Sequence, residues 1–251
     1  MSDDCRKSAA PTPQFSLRSL FVVTAVVAIA LGLIVSALQQ QREWSRLNLC
    51  QNTLKQLALA IHNYHHDHHG PWPNYPDASG RPAHSWRTII LPYMCGMYTY
   101  NRYRFDEPWD GPNNRHLLPD HLPVYYYSCP ADATSRSNFM TSYLAVVGPE
   151  TMWPRQRDVR LQDITDGASN TIMLVETLSS GIYWPEPRDL EWDQMEWRVG
   201  VAPGKGVSSA HRAGANVAMA DGSARALRAD LDPQTLAALL TIRGGEQVDL
   251  P

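Results

Sequence analysis

The hydrophobic pattern of the chain changes character twice. From Leu20 to Leu38 it is unbroken: LFVVTAVVAIALGLIVSAL carries no charge, and its polar residues are Thr24 and Ser36. The uncharged window extends from Ser19 to Gln41, between Arg18 and Arg42. About 20 apolar residues in a helix cross the hydrocarbon layer of a bilayer, so the pattern predicts a transmembrane helix over residues 20–38. A core helix seldom runs so far without a charge. The stretch also exceeds the roughly 7–15-residue apolar region of a removable signal peptide, although Ser36-Ala37-Leu38 loosely mimics a small-residue cleavage site.

Past Arg42 the pattern becomes periodic. Leu47, Cys50, Leu54, Leu57, Ile61 and Tyr64 recur at alternating intervals of three and four, which is one apolar stripe on a helix. The expected layout is a tail over residues 1–19, the span over 20–38, a helix extension over 39–69 stopped by Gly70-Pro71, and a head over 70–251. Within the head, 124–129, 142–147 and 171–175 read as strands. The segment 85–91 reads as a capped helix or a strand, and the proline-rich stretch 106–123 as loop. Asn216 to Ala220 and Ala224 to Arg228 flank Asp221-Gly222-Ser223 as a hairpin, because Asp-Gly tolerates the positive φ of a tight turn. Asp232-Pro233 opens a last helix, Gln234 to Ile242. The fold class expected is α+β, a long amphipathic helix packed on an antiparallel sheet.

Charge narrows the partners. The net charge is -3 and hydrophobic residues make up 43% of the chain. It can bury a core and shows no basic stripe, so no nucleic-acid partner is expected. Arg6, Lys7 and Arg18 before the span nearly balance Arg42, Arg46 and Lys55 after it. A short tail before one early span favours the N-terminus inside and the head outside the cytoplasmic (inner) membrane. Cys5 then lies in a reducing compartment, and Cys50, Cys95 and Cys129 lie where disulfides persist. A Cys50–Cys129 bond would tie helix to sheet; the alternative is three buried free thiols.

Three sets of side chains carry candidate chemistry. His62, His65, His66 and His69 fall on one helical face, suited to zinc or copper, or simply to a solvated helix end. HNYHH has no glutamate between its histidines, so metalloprotease chemistry has no support. Asp163 and Asp166, with Ser169 and Asn170, offer oxygens to calcium, against the reading of an Asp-Gly turn. His211 and Asp221-Gly222 stand nine residues apart, a spacing that mostly measures out one strand. No nucleophile elbow accompanies them, and no catalytic activity is expected. Trp72, Trp109, Trp153, Trp184, Trp192 and Trp197 are candidates to line a ligand site.

LCQNTLKQLALAIHNYHHDHHGPWP, SWRTIILPYM, YSCPADA, TSYLAVVG, ITDGASNTIMLVE, HRAGANVAMADGSAR and LLTIRGGEQV occur in this order. Together, over residues 15–248, they resemble a planctomycete family with a pilin-like N-terminus, a solute-binding-protein-like domain of unknown function and a C-terminal H-X9-DG motif associated with prepilin processing. The resemblance implies a pilin or pseudopilin fold and, by analogy with calcium-binding pseudopilins, a calcium role for Asp221. It also implies prepilin cleavage after Gln14, before Phe15. Gln14 stands where prepilins carry glycine, and Ser19 where they carry the glutamate used in filament assembly, which favours a plain anchor. The function expected is a pseudopilin-like structural or envelope protein, with the membrane and other pilin-like subunits as partners. The alternative is a membrane-tethered extracytoplasmic binding module for a small ligand, a sugar or a metal ion. No cofactor is expected beyond calcium or zinc at the sites named.

Overall fold

The structure is a computed structural model that describes residues 16–68, 75–76, 82–119, 121–155, 157, 159–212 and 214–245. Gln14, Phe15, Cys5, His69, Gly70-Pro71 and Trp72 lie outside the described residues. In chain order the elements are α1 (Leu17–His68), β1 (Tyr75–Pro76), β2 (Pro82–His84), α2 (Trp86–Ile89), α3 (Met97–Arg102), α4 (His121–Tyr127), α5 (Ala133–Ser137), β3 (Tyr143–Leu144), β4 (Val146–Val147), β5 (Ile172–Glu176), β6 (Leu190–Glu191), β7 (Ala215–Met219), β8 (Ala224–Leu227) and α6 (Pro233–Leu240).

The chain separates into two compact units, Met1–Trp44 and Ser45–Pro251. In the first, Ser16 Oγ accepts the Ser19 N–H at 3.1 Å and caps the start of α1. Its apolar residues, among them Phe21, Ile29 and Leu33, face outward. An 18-residue window here has a mean hydropathy of 2.8 with none of it buried, so by length and composition α1 can cross a membrane.

In the second unit, the stripe from Leu47 to Tyr64 is buried at every position. It packs on one face of a four-stranded antiparallel sheet ordered β3-β5-β7-β8. Ala218 and Ala220 meet α1 with Leu174 and Tyr143. Small residues on β7 let the helix approach closely. The other face of β7, with Ala215, Val217 and Met219, packs against Leu236, Leu239 and Leu240 of α6. A sheet covered on both faces explains why every residue of β5 and β7 is buried. A register shift between Ile172 and Leu174 sends Met173 and Leu174 together to the α1 side.

The expected hairpin is present as β7 and β8. Gly222 takes φ +86° in its turn, and Gly214 (φ +121°) enters β7 where an added Cβ would stand 1.9 Å from the Leu227 carbonyl oxygen. Asp232 caps α6 with Pro233 in its first turn. Ser85 caps α2, which decides that segment as helix. The expected strand over 124–129 is instead α4. Val124 and Tyr127 are buried three apart while Tyr125 is exposed, and Pro123 is tolerated in a first turn. Its aromatic, β-branched composition reads as strand, but its burial follows a helical period.

Candidate metal centre

One cross-strand row sets the site. Tyr143 on β3 is paired with Glu176 on β5, and Val175 with Val217, which places Asn216 of β7 beside Glu176. Glu176 is two residues past Leu174 and points to the same α1 face. Cys50 comes down on this row from α1. The Tyr143 hydroxyl donates to Cys50 Sγ at 3.1 Å, and Asn216 Nδ2 donates to the same sulfur at 3.4 Å. The Asn216 amide also donates to Glu176 Oε2 at 2.8 Å, as does its backbone N–H at 3.0 Å. Gln51 Nε2 donates to Asn216 Oδ1 at 3.2 Å and locks the amide's orientation.

Two further ligand atoms arrive from loops. Cys129 follows α4; its N–H donates to Ser142 Oγ at 3.0 Å, and Ser142 Oγ donates to Asp132 Oδ2 at 3.1 Å. Asp132 also accepts the Ser179 N–H at 2.8 Å and caps α5 through the Ser135 N–H at 3.1 Å. This buried carboxylate therefore fixes the turn carrying Cys129. His211 precedes β7, with its N–H on Ser209 Oγ at 3.1 Å. Its Nε2 lies 3.3 Å from Cys129 Sγ and 4.0 Å from Glu176 Oε1.

Cys50, Cys129, Glu176 and His211 thus bring two sulfurs, a nitrogen and a carboxylate oxygen within 4.8 Å of one another, all four residues buried. A tetrahedral zinc ion with Zn–S near 2.3 Å and Zn–N or Zn–O near 2.0–2.1 Å needs donor–donor separations of about 3.3–3.8 Å. Of the two separations at His211 Nε2, the 3.3 Å to Cys129 Sγ lies at the lower end of that range and the 4.0 Å to Glu176 Oε1 lies just beyond its upper end. Cys50 and Cys129 are free thiols here. Burial raises the Cys50 thiol, but hydrogen bonds with Cys129, His211 and Tyr143 outweigh it and bring the group below its ordinary value. Cys129 is pushed up by its hydrogen bond to Cys50 and by burial. The opposite directions of the two shifts favour the negative charge on Cys50. A thiophilic cation suits such a pair, since thiolate is the ligand form.

His62 is half-buried against the hairpin turn, with its Cδ2 4.0 Å from where a Gly222 Cβ would stand, and burial lowers its pKa. His65 is likewise half-buried and lowered by burial. His66 is exposed and lies 3.1 Å from Asp67. The three histidines therefore enter different surroundings. Asp163 Oδ2 accepts the Arg160 N–H at 2.7 Å. Asp166 accepts the Gly244 and Gly245 N–H groups at 2.6 and 2.9 Å. Asp221 Oδ1 accepts the Ser223 N–H at 2.8 Å. Each aspartate serves a turn. His211 and Asp221-Gly222 stand at opposite ends of β7, the first in the buried donor cluster and the second, through Gly222, near His62.

A donor set able to hold a metal ion is therefore present among the described residues, and its two sulfurs suit zinc better than calcium. Nothing in the sequence pattern marks Glu176 as a donor. It is a lone carboxylate closing the apolar run IMLVE. Trp153 and Trp184 are buried, and Trp109, Trp192 and Trp197 are half-buried, with Trp192 and Trp197 packed on each other at 4.3 Å. A cavity of about 380 Å³ lies along β8 beside Arg225, Leu227, Arg228 and Leu231, with no tryptophan among the described residues that line it.

A family model described as "Protein of unknown function (DUF1559)" matches residues 39–151, so a domain of that description is present. The match takes in Cys50 and Cys129 and ends before Glu176 and His211. No curated protein and no solved structure matches the chain.

Proposed function

We propose that the protein is a membrane-tethered binding module whose head, outside the cytoplasmic membrane, holds a zinc-type transition-metal ion between Cys50, Cys129, Glu176 and His211. The observation that carries this reading is the convergence of four buried donor atoms within 4.8 Å from four separate segments of the chain. Buried carboxylates and thiolates are costly unless paired or metal-bound. Four protein ligands complete a tetrahedral shell, as in structural zinc sites, and such a shell leaves no position for substrate. The role assigned is binding and fastening, with no catalytic step. Residues 20–38 supply the anchor, with the N-terminus inside, and no nucleic acid takes part.

A second reading keeps the planctomycete pilin-like assignment: a pseudopilin-like subunit assembling with other pilin-like chains. The long helix on an antiparallel sheet and the H-X9-DG block support it; Gln14 and Ser19 count against prepilin processing and filament assembly. The two readings separate on metal. The test is titration of the reduced, detergent-solubilised full-length chain with zinc and with cobalt. The expected result is about one ion per chain, with thiolate-to-cobalt charge-transfer bands that are weakened in Cys129→Ser and with weaker metal binding in His211→Ala. Absence of stoichiometric binding would return the protein to the structural reading.

A further inference from the structure

The same two sulfurs that hold the metal also have a second way to satisfy each other. Cys50 and Cys129 are both fully buried, free, and have their sulfurs within 4.8 Å. One is carried by α1 and the other by the turn after α4. A disulfide needs sulfurs about 2.05 Å apart with Cα atoms about 4.4–6.8 Å apart, so closure asks for a shift of at most about 2.8 Å between the sulfurs. The surroundings suit either state. Tyr143 and Asn216 donate to Cys50 Sγ, and Asn216 keeps Glu176 Oε2 as an acceptor if that sulfur is withdrawn. His211 and Glu176 alone would leave the ion two protein ligands, which is half a tetrahedral shell.

We infer that the head is a redox-gated metal holder: reduced, Cys50 and Cys129 bind zinc with Glu176 and His211; oxidised, they close on each other and the ion is released. The inference rests on the metal reading above and adds its regulation. Zinc has no redox chemistry of its own, so the electrons come from sulfur. Two zinc–thiolate bonds break and the Cys50–Cys129 bond forms, and two electrons leave the pair. A small-molecule or protein disulfide accepts them; its S–S bond breaks and it departs as two thiolates, protonated by solvent. Zinc leaves as the hydrated divalent ion with its charge unchanged. Thiol–disulfide exchange of this kind proceeds through a mixed disulfide. Because both sulfurs are buried, attack requires local opening, and the metal-bound state is oxidised more slowly than the metal-free one. Outside the cytoplasmic membrane disulfides persist, so the compartment proposed for the head is one in which the gate can be set.

The test uses the full-length chain in detergent with Cys5→Ser and Cys95→Ser, which leaves the two clustered thiols. Reduced protein is loaded with zinc, then exposed to excess oxidised glutathione. Released zinc is followed with a chromogenic chelator, and the Cys50–Cys129 link by non-reducing peptide mapping. The inference expects about one zinc released per link formed, and reloading after reduction. Zinc binding by the reduced chain with no link formed, or with zinc retained after the link forms, overturns the gate and leaves the metal reading standing. A link with no zinc bound by the reduced chain overturns both and makes the pair an ordinary disulfide.

Discussion

At the scale of single residues, the site is defined by who donates to which sulfur. Cys50 Sγ accepts from Tyr143 and Asn216, and Asn216 is itself held by Gln51. Groups that orient a ligand without touching the ion commonly shift metal affinity by about 10–100-fold. Tyr143→Phe removes one donor and keeps the ring, so zinc affinity measured against a competing chelator is expected to fall within that range with the fold intact. An unchanged affinity would place Cys50 outside the coordination shell. His84 gives a pH prediction. Its Nδ1 is 2.9 Å from the Tyr103 hydroxyl and its Nε2 3.1 Å from the Phe105 carbonyl oxygen, and burial lowers its pKa. The unfolded chain therefore takes up the proton first. This stabilisation is present above about pH 6.5 and is lost as pH falls below it. Denaturant midpoints of the full-length chain are expected to drop from about pH 7 to 5, and less steeply in His84→Gln.

Residue chemistry was partly legible in the sequence. Cys50 and Cys129 stood out as a pair, but a sequence cannot distinguish two thiols that meet as a disulfide from two that meet around an ion. His211 stood out through its spacing to Asp221-Gly222. That spacing reflects the length of β7, and only the fold shows that the histidine end of the strand meets two cysteines. Glu176 was invisible because one carboxylate at a strand end is ordinary on a surface, and its burial depends on α1 lying above it.

At the scale of elements, periodicity carried the reading where one face of an element is buried. The α1 stripe and the β7–β8 hairpin are of this kind. It failed for α4, where three consecutive tyrosines hide which side is apolar. The sheet is joined to its surroundings by a buried ion pair no periodicity reveals. Arg87 of α2 donates to Asp189 at 2.5 Å and to the Tyr143 carbonyl oxygen through Nε and Nη2 at 3.2 and 3.1 Å. Burial raises the Asp189 carboxyl, opposed by Arg87 and by the Ala145 N–H. Removing one partner strands the other charge in the core and costs about 3–5 kcal/mol. Arg87→Met is expected to lower stability by that amount in denaturant titration. It should also loosen the proposed metal site, because β3 carries Tyr143. A loss below about 1 kcal/mol would show the pair to be solvated.

At the scale of the whole molecule, an apolar helix able to cross a membrane continues in sequence into a segment whose Cys50 is the first donor of the cluster. The other three donors come from the turn after α4, the end of β5 and the approach to β7, so an ion bound there would fasten α1 to three parts of the head. Metal binding of this kind is folding free energy, since the site is absent in the unfolded chain. The most direct measurement is zinc-edge X-ray absorption on the full-length protein extracted and purified under reducing conditions. The account predicts stoichiometric zinc with two sulfur neighbours at about 2.3 Å and two nitrogen or oxygen neighbours at about 2.0 Å. Zinc with only nitrogen and oxygen neighbours, or reduced protein that carries none and takes up none, would contradict it.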